Sequence, residues 1–206
     1  AVLKALEARN PTAQTFMFRG TDGSAFVGST PELLLKSGAD GAFETVALAG
    51  TAPLDAANDL LTSEKDQREH RLVIEGIHSA ILPYVSVMKT GETVLKRTRD
   101  VAHLSTAIHG VLKRGADPLE VALALHPTPA VCGEPRTAAL EWLRVNESFA
   151  RGWYAGAVGW RRADAAHLVV AIRSALLSGA HATVFTGAGI VRGSTPEAEW
   201  QETARK

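Results

Sequence analysis

The sequence predicts an α+β fold, with largely antiparallel sheets flanked by helices. Strand-like segments come in runs joined by short turns, and helical segments are inserted in blocks. That order lacks the strict strand–helix alternation a doubly wound parallel sheet requires. A length of 206 residues, 46% hydrophobic and 21% charged, is also the balance of a globular chain able to bury a sizeable core. No repeat, low-complexity linker or long charge run divides the chain, so one domain over 1–206 is expected.

Ala5-Leu6-Glu7 reads as part of an opening helix. Period-two alternation then marks strands at Thr15–Arg19, Ala25–Gly28, Leu33–Lys36 and Phe43–Leu48, with turns at Thr21-Asp22-Gly23 and Ser37–Gly41 that suit a meander. From Ser63 the period changes. Ser63 with Asp66 forms a capping signal, and Leu72, Val73, Gly76, Ile77, Ala80 and Ile81 recur at helical spacing as far as Pro83. Thr93–Val101 and Leu104–Leu112 are strand-like, Asp117-Pro118 opens a short apolar helix ending before His126, and Pro135-Arg136 starts another through Glu147. Strands follow at Gly156–Arg161, Leu168–Leu177 and Ala182–Thr186. Ser194-Thr195-Pro196-Glu197 opens the last helix, with Ser194 and Glu197 as a capping box and Pro196 in the first turn.

Charge narrows the function. With 22 basic and 22 acidic side chains the net charge is zero and the pI about 7.3, so nothing draws the chain to nucleic acid or an anionic membrane. The expected ligand is a small molecule. No apolar run approaches the ~18 residues of a membrane span, and Ala1–Asn10 has no signal-peptide pattern, so a cytoplasmic, monomeric protein is expected. The lone Cys132, with no activating base beside it, reads as a packing residue. A start at Ala1 and a last helix cut at Lys206 suggest a longer natural chain.

The chemistry enters with misplaced acids. Stepping back from Val73, Gly76, Ile77 and Ala80 by three, four or seven residues lands on Glu69 and Asp66, which therefore extend an apolar helix face. Glu199, Glu202, Thr203 and Lys206 share one face of the last helix. Two acid pairs at (i, i+3) suit a hard divalent cation such as magnesium; acids drawn to a helix N-terminus, or ordinary surface acids, are the alternative. Gly187-Ala188-Gly189 either brings backbone amides to an anion or is a plain turn. Arg173, within a strand candidate, points either into a polar cavity, where it would hold a carboxylate, or to solvent.

Nine segments then align in order with one family: Gly28-Ser29-Thr30-Pro31-Glu32-Leu33, Leu48-Ala49-Gly50-Thr51, Ser63–His70, His103-Leu104, His126-Pro127-Thr128-Pro129-Ala130, Arg151–Gly156, Ala171–Ser174, Gly187–Val191 and Glu199–Thr203. Over the whole chain the sequence resembles the chorismate-utilising enzymes, and within them the isochorismate synthases. The resemblance implies an anthranilate synthase component I-like fold, a chorismate substrate and a Mg2+ cofactor. It makes Glu69 and Glu202 direct metal ligands, with Asp66 and Glu199 acting through metal-bound water. Arg173, Lys206 and Gly187, Ala188 and Gly189 would grip the substrate carboxylates, with Gly50, Thr51, His103 and Tyr154 also facing substrate. Glu32 resembles the general acid: water adds at ring carbon 2, the carbon 4 hydroxyl leaves, and a poor leaving group needs a proton.

The His126–Ala130 segment and Trp160 resemble isochorismate synthases more than the amine-using or salicylate-forming siblings, which remain the second choice. The step would serve siderophore, menaquinone or salicylate production. The family's water-activating lysine falls upstream of the first matched strand, outside this chain, and Lys4 stands in the wrong context to replace it. A partial domain, pairing with an N-terminal segment and inactive alone, is therefore the third expectation. His70, His78, His109, His167 and His181 receive no role.

Overall fold

The computed structural model describes residues 2–206. Helix α1 (Val2–Arg9) leads into two sheets. One has four strands in the order β1-β2-β9-β10: β1 Gln14–Arg19, β2 Ala25–Thr30, β9 Ser174–Ser178 and β10 His181–Phe185. The other has six, in the order β5-β6-β4-β3-β8-β7: β3 Leu33–Ser37, β4 Ala42–Pro53, β5 Val85–Arg97, β6 Val101–Leu112, β7 Ala157–Arg161 and β8 Ala166–Val170. Their described pairings are antiparallel. The fold class follows the expectation.

Helices α2 (Glu64–Ile81) and α3 (Pro118–Leu125) cover the six-stranded sheet, α5 (Pro196–Arg205) touches β4, and α4 (Arg136–Asn146) lies further out with no buried residue. The apolar stripe of α2, Val73, Ile77 and Ile81, packs with Leu35, Ala47, Ile108, Val121 and Leu125 into the main core. Ser63 caps α2 as expected, its Oγ accepting from the Asp66 amide at 3.3 Å. The last helix is capped one residue later than expected. Thr195 Oγ1 accepts from Ala198 N–H, while Ser194 Oγ accepts from Val191 N–H in the preceding turn. Pro196 thereby takes the first helical position, which suits its missing N–H. Residues 54–61, without an expectation, form a 3-10 helix that buries Ala57 and Leu60.

Two departures build the site. The first four strands are not one meander: β2 pairs with β1 and β9, whereas β3 pairs with β4 and β8. The chain changes sheet at Pro31-Glu32. Likewise Leu168–Leu177 is not one strand but β8 and β9, in different sheets, and Arg173 sits at the break with φ of 52°. The crossings run side by side, joined by Ser29 N–H donating to Arg173 O and Val170 N–H to Glu32 O. Alternation continues through a crossing because both strands stay extended and buried, so periodicity alone cannot reveal it.

Candidate active site

A cavity of about 660 Å³ opens where the two sheets part. Glu32 reaches it from the β2–β3 crossing and Arg173 from the β8–β9 crossing. Gly50 and Thr51 come from β4, His103 from β6, Glu69 from α2, and Tyr154 from the turn before β7. Gly187, Ala188 and Gly189 follow β10, and Lys206 follows α5. Asp66, Glu199 and Glu202 are not lining residues. Glu202 pairs with Lys206, Glu199 with Lys65, and the Asp66 Cβ lies beneath Gly50. The far wall is apolar, from Val131, Ala139, Trp142, Leu143 and Phe149. Cys132 lines it too, half-buried, with its thiol pushed up by burial. Trp160, used above for subfamily resemblance, lies on edge strand β7 under the Arg162 guanidinium.

Glu32 is 4% exposed. Its amide is tied to Thr30 Oγ1 at 3.2 Å, and the Thr128 hydroxyl donates to its Oε1 at 3.3 Å. Burial raises its carboxyl to about 7, against the pull of the Thr128 hydrogen bond and the charges of Lys206, Arg173 and Lys96. A substantial fraction is therefore protonated near neutral pH, as a proton donor must be.

His103 and Arg173 form a second unit. A β-bulge at Gly50, with φ of 72°, turns the Gly50 carbonyl toward His103 Nδ1, 3.2 Å away, with Thr51 Oγ1 at 3.1 Å. Arg173 donates to His103 Nε2 at 3.1 Å. A guanidinium has only donors, so Nε2 accepts and the proton sits on Nδ1, donating to Gly50 O. Burial, with the charges of Arg173 and Lys206, drives the ring down to about 3, so it stays neutral. Arg173 also donates to the Lys206 carbonyl at 3.4 Å, and Lys206 Nζ to Gly187 O at 3.0 Å.

The acids keep the predicted grouping in part. The buried residues of α5 are Glu199 and Glu202, so this helix turns its acids inward and leaves Trp200 76% exposed. Lys65 lies 2.7 Å from Glu199 Oε1, while Oε2 is buried without a donor. Burial, then the Glu202 charge, pushes Glu69 up to about 7. Among the described residues no three His, Cys, Asp or Glu side chains already form a metal cage. An all-carboxylate set with an orphaned buried oxygen and mutual repulsion nonetheless fits a hard divalent cation in its chemistry.

The glycines of 187–189 have a steric reason. A Cβ at Gly187 would stand 2.9 Å from the Tyr154 hydroxyl, and one at Gly189 only 2.4 Å from Glu69 Oε1. The segment threads between the two side chains. Residue-by-residue reading missed Thr128, Lys65 and Lys96. Thr128 and Lys65 lay inside quoted motifs without a contact, and Lys96 lay outside all of them.

The family model for chorismate binding enzymes matches residues 1–206. The chain is 40% identical to the salicylate biosynthesis isochorismate synthase of Pseudomonas aeruginosa, over its whole length and 45% of that protein. It is 37% identical to isochorismate synthase MenF of Bacillus subtilis, again over its whole length and 45% of the relative. Among solved structures, the menaquinone-specific isochorismate synthase MenF of Escherichia coli superposes with a TM-score of 0.89 at 35% identity, covering 98% of this chain and 49% of that one. Anthranilate synthase component I of Streptococcus pneumoniae does so with 0.86 at 29%, covering 99% and 47%. The chain spans about half the length of the curated relatives it matches.

Proposed function

The chain belongs to the chorismate binding enzyme family, and from that membership we propose that its cavity takes chorismate and that the protein isomerises it to isochorismate with a magnesium ion. One observation carries the reading: Glu32, buried and raised to about 7, shares a cavity with the cations Arg173 and Lys206. A proton donor beside two cations matches a dicarboxylate whose hydroxyl must leave.

In this reading Arg173 and Lys206 hold the substrate carboxylates, and neutral His103 fixes the Arg173 fork by accepting one of its hydrogens. Glu32 donates its proton to the departing carbon 4 hydroxyl, which leaves as water. The water adding at carbon 2 gives up its proton to a general base, a lysine in the family the chain resembles. The Gly187–Gly189 backbone and Tyr154 close the wall beside the ring. Glu69 and Glu202 would hold the magnesium directly, with Asp66 and Glu199 acting through water. The ion supplies positive charge that neutralises and orients a substrate carboxylate.

Chromatography of chorismate incubated with the full-length protein tests this. Isochorismate should form with magnesium and not with chelator, and Glu202→Gln should abolish it. Salicylate, or an amino product when ammonia is present, or unchanged turnover in the variant, overturns the reading. A second reading, that this chain binds chorismate without completing turnover, is favoured by one feature. Among the described residues lining the cavity the lysine is Lys206, already bonded to Glu202 and Gly187 and thus not free to activate water. Binding of chorismate with no product separates the two.

A further inference from the structure

Lys96 stands on β5 directly opposite His103 on β6. Cross-strand partners project from the same face of a sheet, so Lys96 shares the face that His103 turns to the cavity. Its neighbours Leu95 and Leu104 take the other face, packed with Ala57 and Leu60. From there the Lys96 ammonium reaches under the β2–β3 crossing and donates to the Pro31 carbonyl at 2.8 Å. That carbonyl belongs to the peptide linking Pro31 to Glu32.

We propose that Lys96 is a positioning residue for Glu32, its ammonium clamping the peptide that carries the carboxyl and supplying a charge that sets when the carboxyl releases its proton. The Glu32 backbone is otherwise held by Thr30 Oγ1 and Val170 N–H, and its carboxyl by Thr128. Lys96 closes the remaining side of this frame. A hydroxyl or amide could fill the same hydrogen bond, yet a lysine stands there, partly buried and held down by that burial while the charges of Glu32 and Glu44 sustain it. The charge therefore has a use beyond the bond. Lys206 at the end of α5, Arg173 at the β8–β9 break and Lys96 on β5 pull on the Glu32 charge, Tyr154 before β7 feels it, and His103 on β6 lines the same cavity.

The catalytic consequence rests on the proposed acid role of Glu32; the clamp itself does not. The test reads the carboxyl directly, by carbon-13 NMR of the chain labelled at glutamate carboxyl carbons, without chorismate, with Glu32→Gln assigning the signal. Lys96→Met should raise the Glu32 titration midpoint by roughly half a pH unit or less, since Lys96 is the weakest of the three cations that pull on it, and Lys96→Arg should restore it. Lys96→Gln keeps a donor for Pro31 but no charge; it should give the same rise, and it replaces the methionine variant if that fails to fold. A midpoint unmoved in both uncharged variants, whatever the loss of thermal stability, overturns the proposal. In turnover assays the alkaline limb of kcat should move up with the midpoint. A shifted midpoint with an unmoved limb upholds the clamp and removes Glu32 as the acid.

Discussion

Gly189→Ala isolates the carboxylate the magnesium reading depends on most. The backbone at Gly189 is not in the left-handed region, so alanine carries no strain of its own. Its methyl carbon, however, would lie 2.4 Å from Glu69 Oε1 and 2.8 Å from Glu69 Cδ. The first separation falls about 1 Å short of van der Waals contact, so the Glu69 carboxyl must swing aside by roughly that much. Leaving its rotamer costs about 0.5–1.5 kcal/mol, a small loss of melting temperature. Misplacing a catalytic or metal-holding group by 1 Å costs on the order of 100-fold in rate. The expected result is a folded protein with nearly parental thermal denaturation, strongly weakened magnesium binding by titration calorimetry and turnover down by about 100-fold. Parental magnesium affinity and turnover would refute the placement of Glu69 beneath Gly189 as the metal ligand.

Glu69→Gln should stabilise the metal-free protein at alkaline pH. A carboxyl raised from 4.5 to about 7 on folding carries a penalty that is absent below 4.5, grows between the two values and is complete above 7. The gain at pH 8 should be on the order of 2–3 kcal/mol and vanish near pH 4, read by urea denaturation; an equal gain at both pH values contradicts the raised carboxyl. Arg173→Lys keeps the charge and the backbone tolerance but loses the fork to His103 Nε2 and Lys206 O, so KM for chorismate should rise about 10- to 100-fold; an unchanged KM removes Arg173 from the carboxylate grip. Ile77→Ala, at a position 1% exposed, should cost about 2–5 kcal/mol in urea denaturation; a smaller loss would mean α2 is not seated on the core as described.

Local signals were legible where local physics governs. The Ser63 cap, the apolar stripe of α2 and the bounds of α3 and α4 each follow from side chains a few residues apart. The inward acids of both helices were visible as a periodicity, since spacing fixes which side chains share a face. Arg173 could not be placed that way. Its orientation depends on the chain leaving one sheet for another, and the alternation of buried residues runs on across that break. Thr128 and Lys96 escaped for a similar reason: a residue 96 positions from Glu32 in one case and one in a separate strand in the other carry no mutual signal along the chain.

Composition, period and motif order were therefore enough for the α+β class and the antiparallel character of its strands, because both rest on neighbours in sequence. The pairing of groups into a site came from the two sheet crossings. They bring Glu32 beside Arg173, aim Lys96 at the Pro31 carbonyl and enclose the acid so that burial lifts it to about 7. Desolvation and hydrogen-bond geometry depend on which distant segments exclude water together, and the folded chain alone sets that.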